Sequence, residues 1–219
     1  MMKESYVVIG CGRFGNAVAK TLYKLGHDVL AIDNDMNVVE AIADDVTQAV
    51  QGDATDENTL RALGVQNYDT AIISITANME SSIITTILVK ELGIKNIICK
   101  AKDELQGRIL TKIGADRIVY PERDMGEKLA GSLVSKNVLE FIDLDPSYSI
   151  AEISVVDLWV GRSLIDLALR SKFGLNVIAI KNEQGANITP NGDDILQKGD
   201  ILVVVGENSR LSRIDDLYE

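Results

Sequence analysis

Gly10-Cys11-Gly12-Arg13-Phe14-Gly15 follows directly on the apolar run Ser5-Tyr6-Val7-Val8-Ile9 and opens a stretch with helical periodicity. A G-x-G-x-x-G hexapeptide between a strand and a helix decides the fold. Gly10 permits the tight turn, Gly12 leaves bare backbone where a diphosphate can approach, and Gly15 lets the helix pack closely on the strand. The helix N-terminus then offers unpaired N–H groups and its positive dipole end to phosphate. Asp33 closes the next apolar run, eighteen residues beyond Gly15, where a carboxylate accepts hydrogen bonds from ribose hydroxyls. An acid there disfavours a 2′-phosphate, so NAD is expected rather than NADP. Asn34 beside it joins the candidate nucleotide-binding set.

Working outward, residues 5–120 alternate short Val- and Ile-rich runs with amphipathic stretches. The runs predict buried parallel strands at Ser5–Gly10, Asp28–Asp33, Thr47–Gly52, Thr70–Ile75, Asn96–Lys100 and Arg117–Tyr120. Between them the pattern predicts helices near Phe14–Lys24, Asn37–Asp44, Asp56–Leu63, Ser81–Leu92 and Glu104–Ile113. Gly26, Gly64, Gly93 and Gly114 stand where left-handed C-caps belong, and Thr55 reads as an N-cap ahead of Asp56 and Glu57. This alternation predicts an α/β fold, a Rossmann-like doubly wound parallel sheet covered on both faces.

After Tyr120 the rhythm changes. Residues 122–140 read as one longer helix, with Met125, Leu129, Leu133 and Val134 on an apolar stripe, and Asp145-Pro146 signals a turn. The domain boundary is therefore expected at residues 140/141, with 1–140 nucleotide-binding and 141–219 a small α+β subdomain. In that tail, strands are expected near Ile150–Val156, Asn176–Lys181 and Asp200–Val205, with a helix over Ser163–Lys172 and a hairpin turn at 182–187.

Composition narrows the function. The 219 residues allow roughly one and a half average domains, and 46% hydrophobic with 25% charged residues is ordinary for a globular chain. No run is long enough to span a bilayer and no signal peptide is apparent, so a cytoplasmic protein is expected. Lys and Arg number 22 against 33 Asp and Glu, a net charge of −11 that argues against nucleic-acid binding. The two cysteines, Cys11 and Cys99, provide no disulfide framework or zinc site.

Other candidates cluster at the predicted carboxyl edge of the sheet. Asp53 with Ala54, in Gln51-Gly52-Asp53-Ala54-Thr55, can flank an adenine, or Asp53 can simply cap a helix. Thr76-Ala77-Asn78 and Lys100 end two further strands on that edge, with Lys100 able to reach phosphate. Arg13 inside the loop suits a terminal phosphate, or is a solvated surface cation. A dehydrogenase would need a proton donor or acceptor beside a nicotinamide. The single histidine, His27, falls instead in a helix-to-strand turn. Nucleotide binding without catalysis is the expectation, and hence no enzyme.

The segments GCGRFGNAVAKTLYKLGHDVLAID, QGDATDE and KIGADRIVYPERDMGEKLA resemble the RCK domains (regulators of potassium conductance) of bacterial TrkA- and KtrA-type proteins. In the tail, GRSLIDLALRSKFGLNVIAI and ILQKGDILVVVG resemble that family's C-terminal subdomain, and the single-RCK length is closest to the KtrA-like form. The resemblance implies a homo-oligomer, from dimer to octameric ring. That ring would bind ATP, ADP or NAD(H) and gate a membrane potassium transporter of the KtrB/TrkH kind from the cytoplasmic face. It implies that Arg13 contacts phosphate, Asp33 the ribose, and Asp53 with Ala54 the adenine. Glu122 would bind a cation (Mg2+, Ca2+ or Na+) at the nucleotide, although Pro121-Glu122 also reads as a plain helix start. It further implies that Leu164, Ile165, Arg170, Asn176, Val177 and Pro190 bind cyclic di-AMP, with Arg170 open to reading as a helix-end cation. The competing expectations are an NAD-dependent oxidoreductase and a nucleotide sensor with another effector.

Overall fold

The computed structural model describes residues 3–76, 78–134, 138–145 and 147–211. These fall into two compact units, Met1–Arg123 and Asp124–Glu219. The first unit runs β1 (Ser5–Ile9), α1 (Arg13–Lys24), β2 (Asp28–Asp33), α2 (Met36–Ile42), β3 (Gln48–Gln51), α3 (Glu57–Ala62), β4 (Thr70–Ile73), α4 (Met79–Glu91), β5 (Asn96–Lys100), α5 (Glu104–Lys112) and β6 (Arg117–Val119). It then enters α6 (Pro121–Val134), inside which the division falls, earlier than the boundary expected near residue 140.

The six strands are parallel, in the order β3-β2-β1-β4-β5-β6. Strand side chains alternate between faces, and the core divides accordingly. Val7, Ile9, Leu30 and Ile32 join one buried cluster; Val8, Val29 and Ala31 join the other. Both faces are covered, which is why these strands read as continuous apolar runs. The chain builds outward from β1 through β2 to β3, then returns to place β4 on the other side of β1. That reversal opens a crevice at the carboxyl ends of β1 and β4.

Two local expectations change and one holds. β3 is an edge strand with Gln48 and Gln51 exposed, so it is not fully buried. The cap of α3 is Asp56, whose side chain accepts the N–H groups of Asn58 and Thr59, whereas Thr55 bonds back to Asp53. The glycines at 26, 64, 93 and 114 do take positive φ.

The second unit is an antiparallel sheet in the order β10-β9-β11-β8-β7. Its elements are β7 (Val138–Asp143), β8 (Tyr148–Ser154), α7 (Leu164–Leu167), α8 (Leu169–Phe173), β9 (Asn176–Asn182), β10 (Gly185–Asn187), β11 (Ile201–Glu207) and α9 (Asn208–Leu211). The helix expected over 122–140 reaches only Val134, and Val138–Asp143 within that span pairs instead with β8. Sheet pairing there overrides a weak helical pattern. The Asp145 carboxylate accepts the N–H groups of Ser147 and Tyr148, making the turn. Pro146 lies outside the described residues. The helix expected over 163–172 is two short helices, broken where Ala168 takes a left-handed φ of 51°. The hairpin at 182–187 forms as expected, with Asn182 opposite Gly185.

Candidate functional site

Three glycines shape the loop after β1. Gly10, at φ +87°, turns the chain, and its N–H continues the ladder to the Ile32 carbonyl at 2.8 Å. A Cβ on Gly15 would overlap the Gly10 carbonyl, so α1 lies directly against the turn. A Cβ on Gly12 would meet nothing within 4 Å. Open space over Gly12 at the first turn of a twelve-residue helix is what a phosphate needs.

Asp33 locks this loop to the end of β2. Its carboxylate accepts the Cys11 N–H at 2.6 Å and the Asp35 N–H at 2.9 Å. Each oxygen still has a lone pair free for a ribose hydroxyl. Across the crevice, the exposed Asp53 carboxylate accepts both the N–H and the hydroxyl of Thr55, at 2.9 and 2.7 Å. The Thr55 hydroxyl is the main reason its pKa lies below the usual carboxylate range. Asp53 therefore organises a turn and is not the helix cap. Asn78 caps α4 through the N–H groups of Glu80 and Ser81.

These parts enclose a cleft of about 350 Å³. Of the residues singled out from sequence, Gly10, Gly12, Asp33, Asn34, Asp53, Ala54, Thr76 and Asn78 line it. Ala77 lies outside the described residues. Gly52, Ser74, Ile75 and Ser81 also line it and were missed. The signal for Ser74 and Ile75 was their place just beyond β4, at the strand-order reversal.

Arg13 and Phe14 form the first turn of α1. Lys100 and Glu122 do not line the cleft; they pair beside that turn. The Lys100 ammonium, on a residue only 8% exposed, lies 2.6 Å from Glu122 Oε1 and 5.8 Å from the centre of the Phe14 ring. The Lys100 hydrogen bond holds the Glu122 carboxyl below its usual pKa, helped by the Glu122 backbone and the Arg13 charge. Among the described residues no group of three or more His, Cys, Asp or Glu is placed to hold a metal ion. A cation at Glu122 would have to draw its other ligands from elsewhere. Burial raises the Cys11 thiol to about 12 and the Cys99 thiol to about 11, so neither is a nucleophile near neutral pH.

The second unit has its own cleft, of about 860 Å³. Leu164, Ile165, Arg170, Asn176, Val177 and Pro190 all line it, with Ala168 and Gly192 among those missed from sequence. Its walls are mainly aliphatic, and Arg170 is its cation.

A glycine loop, an acid at the end of β2 and a crevice at the strand-order reversal define a Rossmann-type nucleotide-binding domain. Residues 6–121 match the TrkA-N domain and residues 150–218 the TrkA-C domain. The Ktr system potassium uptake protein C of Bacillus subtilis (strain 168) is 40% identical over 214 residues, covering 98% of this chain and 97% of that protein. The Ktr system potassium uptake protein A of the same organism is 42% identical over 213 residues, covering 97% and 96%. The RCK domain of GsuK superposes with a TM-score of 0.70 at 19% identity, covering 99% of this chain and 48% of that one. That likeness speaks to the fold alone. The chain belongs to the family of potassium uptake proteins that join a TrkA-N to a TrkA-C domain.

Proposed function

We propose that this chain is a nucleotide-binding regulatory subunit that assembles with copies of itself, as a dimer or up to an octameric ring. It would gate a membrane potassium transporter of the KtrB/TrkH kind from the cytoplasmic side. The end-to-end match to Ktr potassium uptake proteins carries this reading. The cleft beneath Gly12 suits ATP, ADP or NAD(H), with Asp33 on the ribose and Asp53-Ala54 near the base. Cyclic di-AMP is the proposed ligand of the second cleft, with Arg170 on a phosphate. Among the described residues no helix is long and apolar enough to cross a membrane, so ion passage would belong to the partner. On α6, Met125, Leu129 and Leu133 are 64%, 57% and 75% exposed, an apolar stripe that supports self-association.

An oxidoreductase finds less support. His27 precedes β2 at the amino edge of the sheet, where its Nδ1 accepts the Glu4 N–H at 3.3 Å. The cleft opens at the carboxyl edge. Co-expression with a KtrB-type membrane subunit in cells lacking potassium uptake should restore growth at limiting potassium, and Asp33→Ala should remove much of the restoration. Growth indifferent to this chain would overturn the reading.

A further inference from the structure

The helix α4 buries hydroxyls where a helix packed on a sheet is expected to bury methyls. Ser82, Thr85, Thr86 and Val89 form its inward face, and both threonines are fully buried. The two adjacent threonines use their hydroxyls differently. Thr86 donates to the Ser82 carbonyl one turn back at 2.7 Å, the ordinary arrangement for a threonine inside a helix. Thr85 donates out of the helix, to the Ala54 carbonyl at 3.2 Å. That carbonyl accepts no other hydrogen bond among the described residues, and Ala54 is only 6% exposed. Ala54 in turn lines the first cleft, in the turn that follows β3. Within that turn the Asp53 carboxylate accepts the Thr55 N–H, and the Asp53 carbonyl accepts the Asp56 N–H at 3.2 Å. The peptide joining Ala54 to Thr55 is thus held at its N–H by Asp53 and at its carbonyl by Thr85. The Asp53 bonds are local and travel with the turn, whereas the Thr85 bond ties the turn to α4.

We propose that Thr85 is a positioning residue of the nucleotide site: its hydroxyl anchors the Ala54 carbonyl to α4 and so fixes the 53–55 turn where that turn meets the base. Thr85 is not itself among the residues lining the cleft, so it acts through Ala54. The inference rests on the proposed nucleotide site and adds what holds one wall of it in place. A turn already fixed in its binding position does not have to be ordered by the ligand, and affinity gains by that difference. Without the hydroxyl the Ala54 carbonyl is left buried and unpaired, a cost relieved when the turn moves away from α4 toward water. Loss of the anchor therefore displaces the turn as well as loosening it.

The test is calorimetric titration of ADP into the full chain, with each variant first shown to be folded by thermal unfolding. Thr85→Val keeps the volume and removes the hydroxyl, and should weaken ADP binding about three- to tenfold, the worth of one neutral hydrogen bond. Thr85→Ser restores the donor and should bind ADP within about twofold of the wild type. Thr86→Val removes the neighbouring buried hydroxyl, which does not reach the cleft, and should also leave affinity within about twofold. Should Thr85→Val not fold, Thr85→Ala removes the same hydroxyl with a residue of higher helix propensity and should show the same loss. Wild-type affinity in folded Thr85→Val or Thr85→Ala would overturn the anchoring role while the nucleotide site stands. Equal losses in Thr85→Val and Thr86→Val would overturn it too, by showing that the packing of α4 matters rather than its bond to Ala54. If the wild type does not bind ADP, both the anchor and the site fail.

Discussion

The two clefts are built from different materials. The one in the parallel-sheet unit gathers a glycine turn, the open N-terminus of α1, and acids beyond strand ends already engaged in turns. The one in the antiparallel unit is walled by aliphatic side chains around a single arginine. A site built on a glycine turn tolerates few residues at the positions that make the turn, because a single Cβ fills or distorts it. A side-chain-walled site depends instead on the one polar group that orients its ligand. The first should be broken by adding an atom, the second by removing a charge.

The largest expected effect follows at Gly15. A side chain there must displace the Gly10 carbonyl, so Gly15→Val should cost about 3 kcal/mol or more and leave little folded first unit. Thermal unfolding followed by circular dichroism checks this, and a near-native melting temperature would contradict the close packing.

The cysteines come next. Cys11 and Cys99 stay protonated at pH 8, with pKa values raised to about 12 and 11 by burial. An ordinary thiol titrates near 8.5, so iodoacetamide should alkylate the native chain more than about a hundredfold more slowly than the unfolded one. The sign of the linked stability is fixed as well. A group whose pKa rises on folding contributes fully below its unfolded value, so stability should decline as pH climbs from about 9 toward 12. Equal alkylation rates in the native and unfolded states would show the thiols to be accessible.

In the second unit, Arg170→Gln should weaken cyclic di-AMP binding about ten- to a hundredfold, the worth of one charge-assisted contact, and leave ADP affinity unchanged. Parallel titrations with the two ligands separate the clefts. The smallest effect belongs to Ala168, held at φ 51° on the rim of that cleft. Ala168→Gly should stabilise the second unit by about 0.5–1 kcal/mol, since glycine adopts this conformation without strain. A loss of stability would mean that the Ala168 methyl packs more than it strains.

The same contrast explains what was legible in the sequence. The first unit could be read almost element by element, because parallel strands buried on both faces advertise themselves as Val/Ile runs and four of its five helix-to-strand turns carry a glycine. Gly10, Gly12, Gly15 and Asp33 were legible for the same reason. Ser74, Ile75 and Ser81 were not, since they reach the cleft only through the order in which strands pair. The pairing of Lys100 with Glu122 joins residues on β5 and α6, and no local pattern announces it. In the second unit, the helical reading of 122–140 failed where long-range pairing with β8 claimed the segment. The break at Ala168 lacked the glycine that usually marks a left-handed residue.

The central claim is that nucleotide phosphate sits on the open backbone at Gly12, and one comparison tests it most directly. Gly12→Ala adds a methyl that meets no protein atom within 4 Å, so the fold should survive with its melting temperature nearly unchanged. That methyl stands where phosphate must approach. Calorimetric titration with ADP should therefore show binding to the wild type and at least about a tenfold loss in Gly12→Ala, a difference of about 1.4 kcal/mol or more. Equal ADP affinity in the two folded proteins would contradict the account.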